Sequence, residues 1–222
     1  MRPQITSTEL AADRAHALAL TPVSRETEAR LDAFVDCLLR RQQTTNLIAS
    51  STVPHLWTRH IADSLQLLAL APHASVWLDL GSGAGFPGLI IACALAGRTG
   101  AVVHLVESTN KKCTFLRDTI AATGAPALVH CERIEDFAKH FNDRVDVITA
   151  RALAPLPVLL GYVQPLMKTG AQALLMKGQD IEAELTDSSK YWNIRASLVA
   201  SKTSASSKIV IIDGVESRRS RG

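Results

Sequence analysis

Cysteine is scarce and scattered. Cys37, Cys93, Cys113 and Cys131 include no C-x-x-C pair, a spacing that suits neither a zinc site nor a disulfide framework. Reduced thiols in a cytoplasmic protein are the simpler expectation. Long apolar runs are missing as well: the longest, 89–96, falls far short of the ~20 residues that cross a bilayer. Glu9, Asp13, Arg14 and His16 interrupt the apolar residues near the start, unlike a secretory signal. No repeat of fixed period occurs, which argues against solenoids and propellers. Excess charge is small, with 24 Lys and Arg against 21 Asp and Glu, so charge alone announces no nucleic-acid partner. A basic face can still form, because cations cluster while the total stays near zero.

What is present is ordinary apolar material, 47% of 222 residues, enough for a real core and against long disorder. That length fits one α/β domain with a modest extension. Residues 1–74 read as a helical extension. Ser24 is a candidate cap, and Leu31, Phe34, Val35, Leu38 and Leu39 recur at helical spacing. A polar loop at 46–52 precedes a helix from Pro54 whose inward residues are Leu56, Trp57, Ile61, Leu65 and Leu68. Residues 75–216 alternate short apolar strands with helices. Strands are expected at 76–80, 102–106, 127–130, 145–149, 172–176 and 209–212, and helices at 88–96, 111–122, 135–139 and 156–166. The alternation implies a mostly parallel, doubly wound sheet covered on both faces. The Ser-rich stretch 201–208 reads as a loop or hairpin connection, and 217–222 as a basic tail.

The segment from Trp77 to Gly88, reading W-L-D-L-G-S-G-A-G-F-P-G, carries the most information. It follows an apolar strand and precedes an apolar helix, the context a ligand-binding glycine loop needs. Glycines allow close backbone approach, and amides at the next helix's start can receive an anionic group. A P-loop needs Gly-Lys-Ser/Thr, and Phe86, Pro87 and Gly88 stand there instead. A dinucleotide loop places a small residue where Phe86 stands, to let helix and strand pack closely. Gly81, Gly83 and Gly85 with Asp79 upstream look like the first motif of class I methyltransferases, which bind S-adenosylmethionine. A nicotinamide cofactor and a purely structural turn stay open as alternatives.

Glu107 closes the second strand, where a carboxylate accepts from ribose hydroxyls in either cofactor class or is simply a surface charge. Ile134 and Glu135 follow the third strand, where an apolar and a polar group meet an adenine; Glu135 equally suits a helix's first turn. Arg151 ends the fourth strand, facing the ligand crevice or making a buried salt bridge. After that strand no Asn-Pro-Pro-Tyr or Asp-Pro-Pro-Tyr stands, and no Pro-Cys occurs, which counts against amino-group methylation and cytosine C5 methylation. Acceptors that are already nucleophilic remain, and alignment can supply most of their catalysis.

Arg59-His60-Ile-Ala-Asp63-Ser, the loop ending Phe86-Pro-Gly88, Ala150-Arg151-Ala152 and Lys177-Gly178 together resemble the bacterial small-subunit ribosomal RNA guanine-N7 methyltransferases, also called glucose-inhibited division protein B. The similarity runs from about 31 to 180. It departs at Arg41-Gln42, where members often carry Trp-Asn, and at Asn46-Leu47-Ile48, where they carry Asn-Leu-Thr.

The resemblance implies a Rossmann-like methyltransferase domain and transfer from S-adenosylmethionine, leaving S-adenosylhomocysteine, to guanine N7 in the 530 loop of 16S rRNA. It also implies that Gly81, Phe86, Ile134, Glu135 and Arg151 line the cofactor pocket, beside Gly83, Gly85 and Glu107. Arg59, His60 and Asp63 would stand at the mouth of the site as candidate catalytic residues. Arg59 and Asp63 also suit an ordinary i, i+4 ion pair, and His60 a structural role. Lys111, Lys112 and Arg117 are candidate phosphate contacts or a solvated helix face. The expected partner is 16S rRNA or the 30S subunit, with no membrane, no metal and a monomeric chain. Methylation of a small molecule or protein on the same fold, and an RNA-binding module without turnover, are the other readings.

Overall fold

A computed structural model of the chain describes residues 7–218. Helices α1 (Ser7–Leu20) and α2 (Arg25–Gln42) come first. Ser24 caps α2, its hydroxyl accepting from the Thr27 amide at 3.3 Å, with Glu26 and Glu28 in the first turn and Arg40 and Arg41 in the last. Each sign suits its end of the helix dipole. Leu31, Phe34, Val35 and Leu38 form the buried face of α2.

Residues 50–69 wind irregularly: a 3₁₀ turn (Ser50–His55), a π turn (Trp57–Ala62), a single α turn α3 (Asp63–Leu65), and a second 3₁₀ turn (Gln66–Ala69). The expected regular helix from Pro54 is thus replaced by one whose phase drifts. Leu67 is buried where Leu68 was expected to be, and Leu68 is half-buried. Such wide turns often mark functional sites. Asp13 anchors this one, its carboxylate accepting from the Trp57 amide at 2.8 Å and the Thr58 amide at 3.3 Å.

The sheet elements follow as β1 (Val76–Leu80), α4 (Gly88–Leu95), β2 (Val102–Val106), α5 (Asn110–Thr123), β3 (Ala127–His130), α6 (Ile134–His140), β4 (Val147–Arg151), α7 (Leu156–Val163), β5 (Gln172–Lys177), α8 (Ile181–Ser188), β6 (Trp192–Ala200) and β7 (Lys208–Ser217). Strand order is β3-β2-β1-β4-β5-β7-β6; the first five are parallel, and β7 is antiparallel to both neighbours.

Side-chain alternation fixes the layers. Trp77, Leu105, Val147 and Leu174 pack with the N-terminal helices, α4 and α5, while Leu78, Val106, Ile148 and Leu175 pack against the helices α6 to α8. The extension shares one core with the sheet, Phe34 and Trp57 lying among Leu89, Ile90 and Phe115.

Most boundaries fall within a few residues of the sequence reading, and the larger differences lie at β4 and at the C-terminal end of the sheet. β4 starts at Val147 rather than 145, because Asp146 turns aside to accept from the amides of Ser75 and Val76 at 2.9 and 3.0 Å. β6 and α8 were not foreseen. β7 runs on to Ser217 because β6 pairs along its whole length, the Ser-rich stretch joining the two as a hairpin connection. Of the basic stretch 217–222, residues 219–222 lie outside the described residues.

Chain crossovers leave β1 toward β2 on one side and reach β4 on the other. A crevice therefore opens at the carboxyl ends of β1 and β4, where open α/β sheets bind ligands. No helix among the described residues is long and apolar enough to cross a membrane.

Candidate active site

Between β1 and α4 the glycine loop doubles back, with Gly81, Gly83 and Gly85 at φ +69°, +56° and +94°. These are left-handed angles that side chains disfavour. Asp79 is fully buried and fastens the loop at both ends: its carboxylate accepts from Thr149 Oγ1 at 2.8 Å and from the Gly88 amide at 3.2 Å. A Cβ on Gly88 would stand 2.6 Å from Asp79 Cβ and 2.5 Å from Leu105 Cδ2. Gly88 thus supplies the close helix–strand approach that a dinucleotide loop obtains at the position Phe86 occupies here.

The amides of Gly81, Ser82, Gly83, Gly85 and Gly88 all donate within the fold, to Val106, Glu107, Ser82 and Asp79. The expected anion site at the start of α4 is therefore taken up internally at Gly88.

Two cavities meet at Ala152, a non-glycine residue held at φ 50°. The first, about 360 Å³, is lined by Gly81, Glu107, Lys112, Ile134, Glu135 and Tyr162. Glu107 is 6% exposed and is oriented by the amides of Gly83 at 3.0 Å and Thr109 at 2.8 Å, one to each oxygen. A carboxylate has about four lone-pair sites, so acceptor capacity remains toward the cavity. Ile134 and Leu153 supply apolar wall, and Tyr162 donates its hydroxyl hydrogen to Glu135 at 3.0 Å, tying α7 to α6. A carboxylate with free lone pairs beside apolar walls suits a nucleoside, so the residues present fit S-adenosylmethionine. Gly83, Gly85 and Phe86 do not line this cavity, and Arg151 faces the other one.

The second cavity, about 350 Å³, is lined by Arg59, His60, Asp63, Arg151, Lys177 and Ser201 among others. Arg151 donates to the Arg59 carbonyl at 3.1 Å, to Asp63 Oδ2 at 3.3 Å, and to His60 Nδ1. A guanidinium cannot accept, so Nδ1 is the acceptor and His60 carries its proton on Nε2, which donates to Thr52 Oγ1 at 3.0 Å. Thr52 in turn donates to the Ala49 carbonyl at 2.8 Å. Phe86 lies beneath this group rather than in the cofactor cavity. It stacks on His60 at 4.9 Å, meets Phe34 edge-on at 5.3 Å, and has the Arg151 guanidinium over its face at 5.2 Å.

The Arg59–Asp63 helix pair does not form among the described residues. Asp63 pairs with Arg151 instead, both side chains less than one-fifth exposed, and Arg59 is exposed. Lys112 lines the cofactor cavity, whereas Lys111 and Arg117 are exposed on α5. At 100° per residue, Lys112 and Arg117 stand roughly 140° apart around the helix, so the three form no single patch. Lys177, quoted in the motif without a role, pairs with Glu184 at 2.8 Å and donates to the Ala154 carbonyl at 3.1 Å. Ser201, Ser207 and Lys208 also line the second cavity, and nothing in their Ser-rich composition pointed there. Among the described residues no group of three or more His, Cys, Asp or Glu is placed to hold a metal, and all four cysteines are free.

His60 is pushed down to about 3, first by burial and then by the charges of Arg151 and Arg59. Its unfolded counterpart takes up a proton below the ordinary 6.5, so the unfolded state binds more protons between about 3 and 6.5. Stability from this group therefore falls as pH falls through that window. Asp79 acts oppositely: burial pushes it up to about 6 against hydrogen bonds from Thr149, Ser82 and Gly88, so its contribution falls as pH rises from 3.8 to 6. A His60→Gln variant is expected to lose less stability than the parent between pH 6.5 and 4, read as urea midpoints. Equal losses would place the acid-sensitive proton on another group.

The family model described as rRNA small subunit methyltransferase G matches residues 27–210. A Bradyrhizobium protein named ribosomal RNA small subunit methyltransferase G is 59% identical over 212 residues, covering 96% of both chains. Its namesake from Nitrobacter hamburgensis is 59% identical over 98% of this chain and 84% of its own. Among solved structures, an O-methyltransferase from Bacillus cereus in complex with S-adenosylhomocysteine superposes with TM-score 0.58 at 14% identity, covering 93% of this chain and 99% of that one, a likeness of fold. The chain belongs to the rRNA small subunit methyltransferase G family.

Proposed function

We propose that this chain transfers a methyl group from S-adenosylmethionine to N7 of a guanine in the 530 loop of 16S rRNA. The observation that carries the reading is the meeting of two cavities at Ala152, one suited to a nucleoside and one rimmed by cations. The relatives' shared name supports ribosomal RNA of the small subunit as acceptor.

Gly81, Glu107, Ile134 and Glu135 would hold the cofactor, with Lys112 at the rim. When bound, the cofactor supplies an electrophilic methyl group on a sulfonium. Guanine N7 already carries a lone pair, so no protein group has to remove a proton from it. His60 fits that economy: it stays neutral, and both ring nitrogens are engaged by Arg151 and Thr52. Its part, with Phe86 beneath it, is to hold Arg151 at the end of β4. Asp63 holds the same guanidinium from the other side. Catalysis then rests on alignment across the Ala152 junction rather than on acid–base chemistry. An rRNA substrate supports a cytoplasmic location.

Radiolabelled methyl transfer onto 30S subunits lacking this modification, followed by base mapping, tests the reading. Label is expected on guanine N7 in the 530 loop. Absence of label from a chain that binds S-adenosylhomocysteine would reject that acceptor while keeping the fold.

A further inference from the structure

The connection between β6 and β7 is fastened far more firmly than a hairpin turn requires. Ser201 Oγ donates to Asp63 Oδ1 at 3.2 Å, and Thr203 Oγ1 to the same oxygen at 2.7 Å. The Lys202 amide donates to Gln66 Oε1 at 2.8 Å, and Gln66 Nε2 reaches Ser201 Oγ at 3.1 Å. These bonds link the connection to α3 and the turn after it, across 135 to 140 positions of the chain. Asp63 therefore holds two things at once, Arg151 through Oδ2 and the connection through Oδ1.

What the connection presents is a cation. Lys202 is exposed, between two residues whose side chains are tied down, and next to Ser201 in the cavity wall. The two lysines that line the cavity itself are spent, Lys177 on Glu184 and Lys208 on Glu182. Among the described residues no carboxylate pairs with Lys202 or with Arg59, which lines the cavity from the π turn. Two unpaired cations, Arg59 in the cavity lining and Lys202 next to the lining residue Ser201, match a phosphodiester that flanks a base turned into the cavity. A phosphate contact of this kind positions RNA without reading its sequence.

We propose that the 201–207 connection is an RNA-contacting wall of the acceptor cavity, with Lys202 binding a backbone phosphate beside the methylated base. Asp63 and Gln66 are its positioning residues. The proposal rests on the RNA-methylating reading above and adds a contact outside the segment on which the sequence resemblance was recognised.

The test compares the parent, Lys202→Ala, Lys202→Arg and a Ser201→Ala/Thr203→Val double variant. Two quantities are read: binding to undermethylated 30S subunits over a range of salt, and the KM and kcat of methyl transfer. Affinity for S-adenosylhomocysteine, measured alongside, reports whether the fold and cofactor cavity survive. Lys202→Ala is expected to raise KM for subunits several-fold, more than it lowers kcat. It should also reduce the slope of log K against log salt by about 1. Lys202→Arg should restore both, and the double variant should weaken subunit binding in the same direction by loosening the tether. An unchanged slope and KM in Lys202→Ala, with the parent methylating subunits, would overturn this proposal alone. A parent that binds no subunits would overturn the functional reading and this proposal with it.

Discussion

Glu107→Ala is expected to bind S-adenosylhomocysteine at least 100-fold more weakly than the parent, measured by calorimetry. The carboxylate ends β2 at the cavity floor, held in one orientation by the amides of Gly83 and Thr109. A hydrogen bond to a charged group is worth roughly 1.5–3 kcal/mol. Losing the two ribose contacts proposed for it would therefore cost about 3 kcal/mol or more, and every ~1.4 kcal/mol is tenfold. Glu107→Gln keeps one acceptor oxygen and should fall between the two. Because the same carboxylate also ties two loop amides, the urea midpoint of each variant must be followed. A Glu107→Ala protein with parental affinity would remove Glu107 from the cofactor site, and the nucleoside assignment of that cavity with it.

The second large effect concerns stability. Gly88→Ala is expected to lose on the order of 3 kcal/mol, read as a lowered urea midpoint at unchanged slope. The new methyl would lie 2.6 Å from Asp79 Cβ and 2.7 Å from its Oδ2, and neither atom sits at the end of a flexible chain. Moving α4 away would also break the hydrogen bond from the Gly88 amide to the buried Asp79 carboxylate. Leaving a buried charge with fewer partners adds to the overpacking cost. Gly97→Ala is the control: its added Cβ would meet nothing within 4 Å, so that change should be neutral or slightly stabilising. A Gly88→Ala protein with the parental midpoint would show that α4 and β1 can separate freely.

The parts of the fold legible in the sequence are those whose burial is two-sided. β1 and β2 were placed to the residue, since apolar runs such as 102–106 are enclosed by helices on both faces; β3 is the exception, a half-exposed edge strand placed from its short apolar run after Gly124 and Pro126. β6 escaped although Trp192, Ile194, Ala196 and Leu198 alternate with Asn193, Arg195 and Ser197: it is an edge strand with most residues exposed, and no continuous apolar run marks it. α8 escaped for a similar reason, burying only Ile181 and Ser188.

The site divides along another line. Glu107 and Arg151, singled out from their places at strand ends, do each line a cavity, but not the same one: Arg151 stands in the second, paired with Asp63. Phe86 was placed in the wrong surroundings, because the loop motif says where its backbone turns but not that an N-terminal helix brings Phe34 against its ring. Helical spacing offered Arg59 as an alternative partner for Asp63; a π turn changes that spacing, and the partner comes from β4 instead. Long-range ties such as those from Asp63 to Ser201 and Thr203 have no local signal at all.

Those ties give the molecule an order of assembly in time. Asp63 and Thr203 are 140 positions apart, so a chain growing at roughly 5–20 residues per second makes the second about 7–28 s after the first. By residue 162 every lining residue of the cofactor cavity has been made. The acceptor wall waits for the hairpin to dock on Asp63 and Gln66. During synthesis the protein therefore has the residues of the first cavity before it has the wall proposed to contact RNA. An rRNA methyltransferase of this kind completes its second cavity only after residue 209, the last of that lining, has been made and folded back.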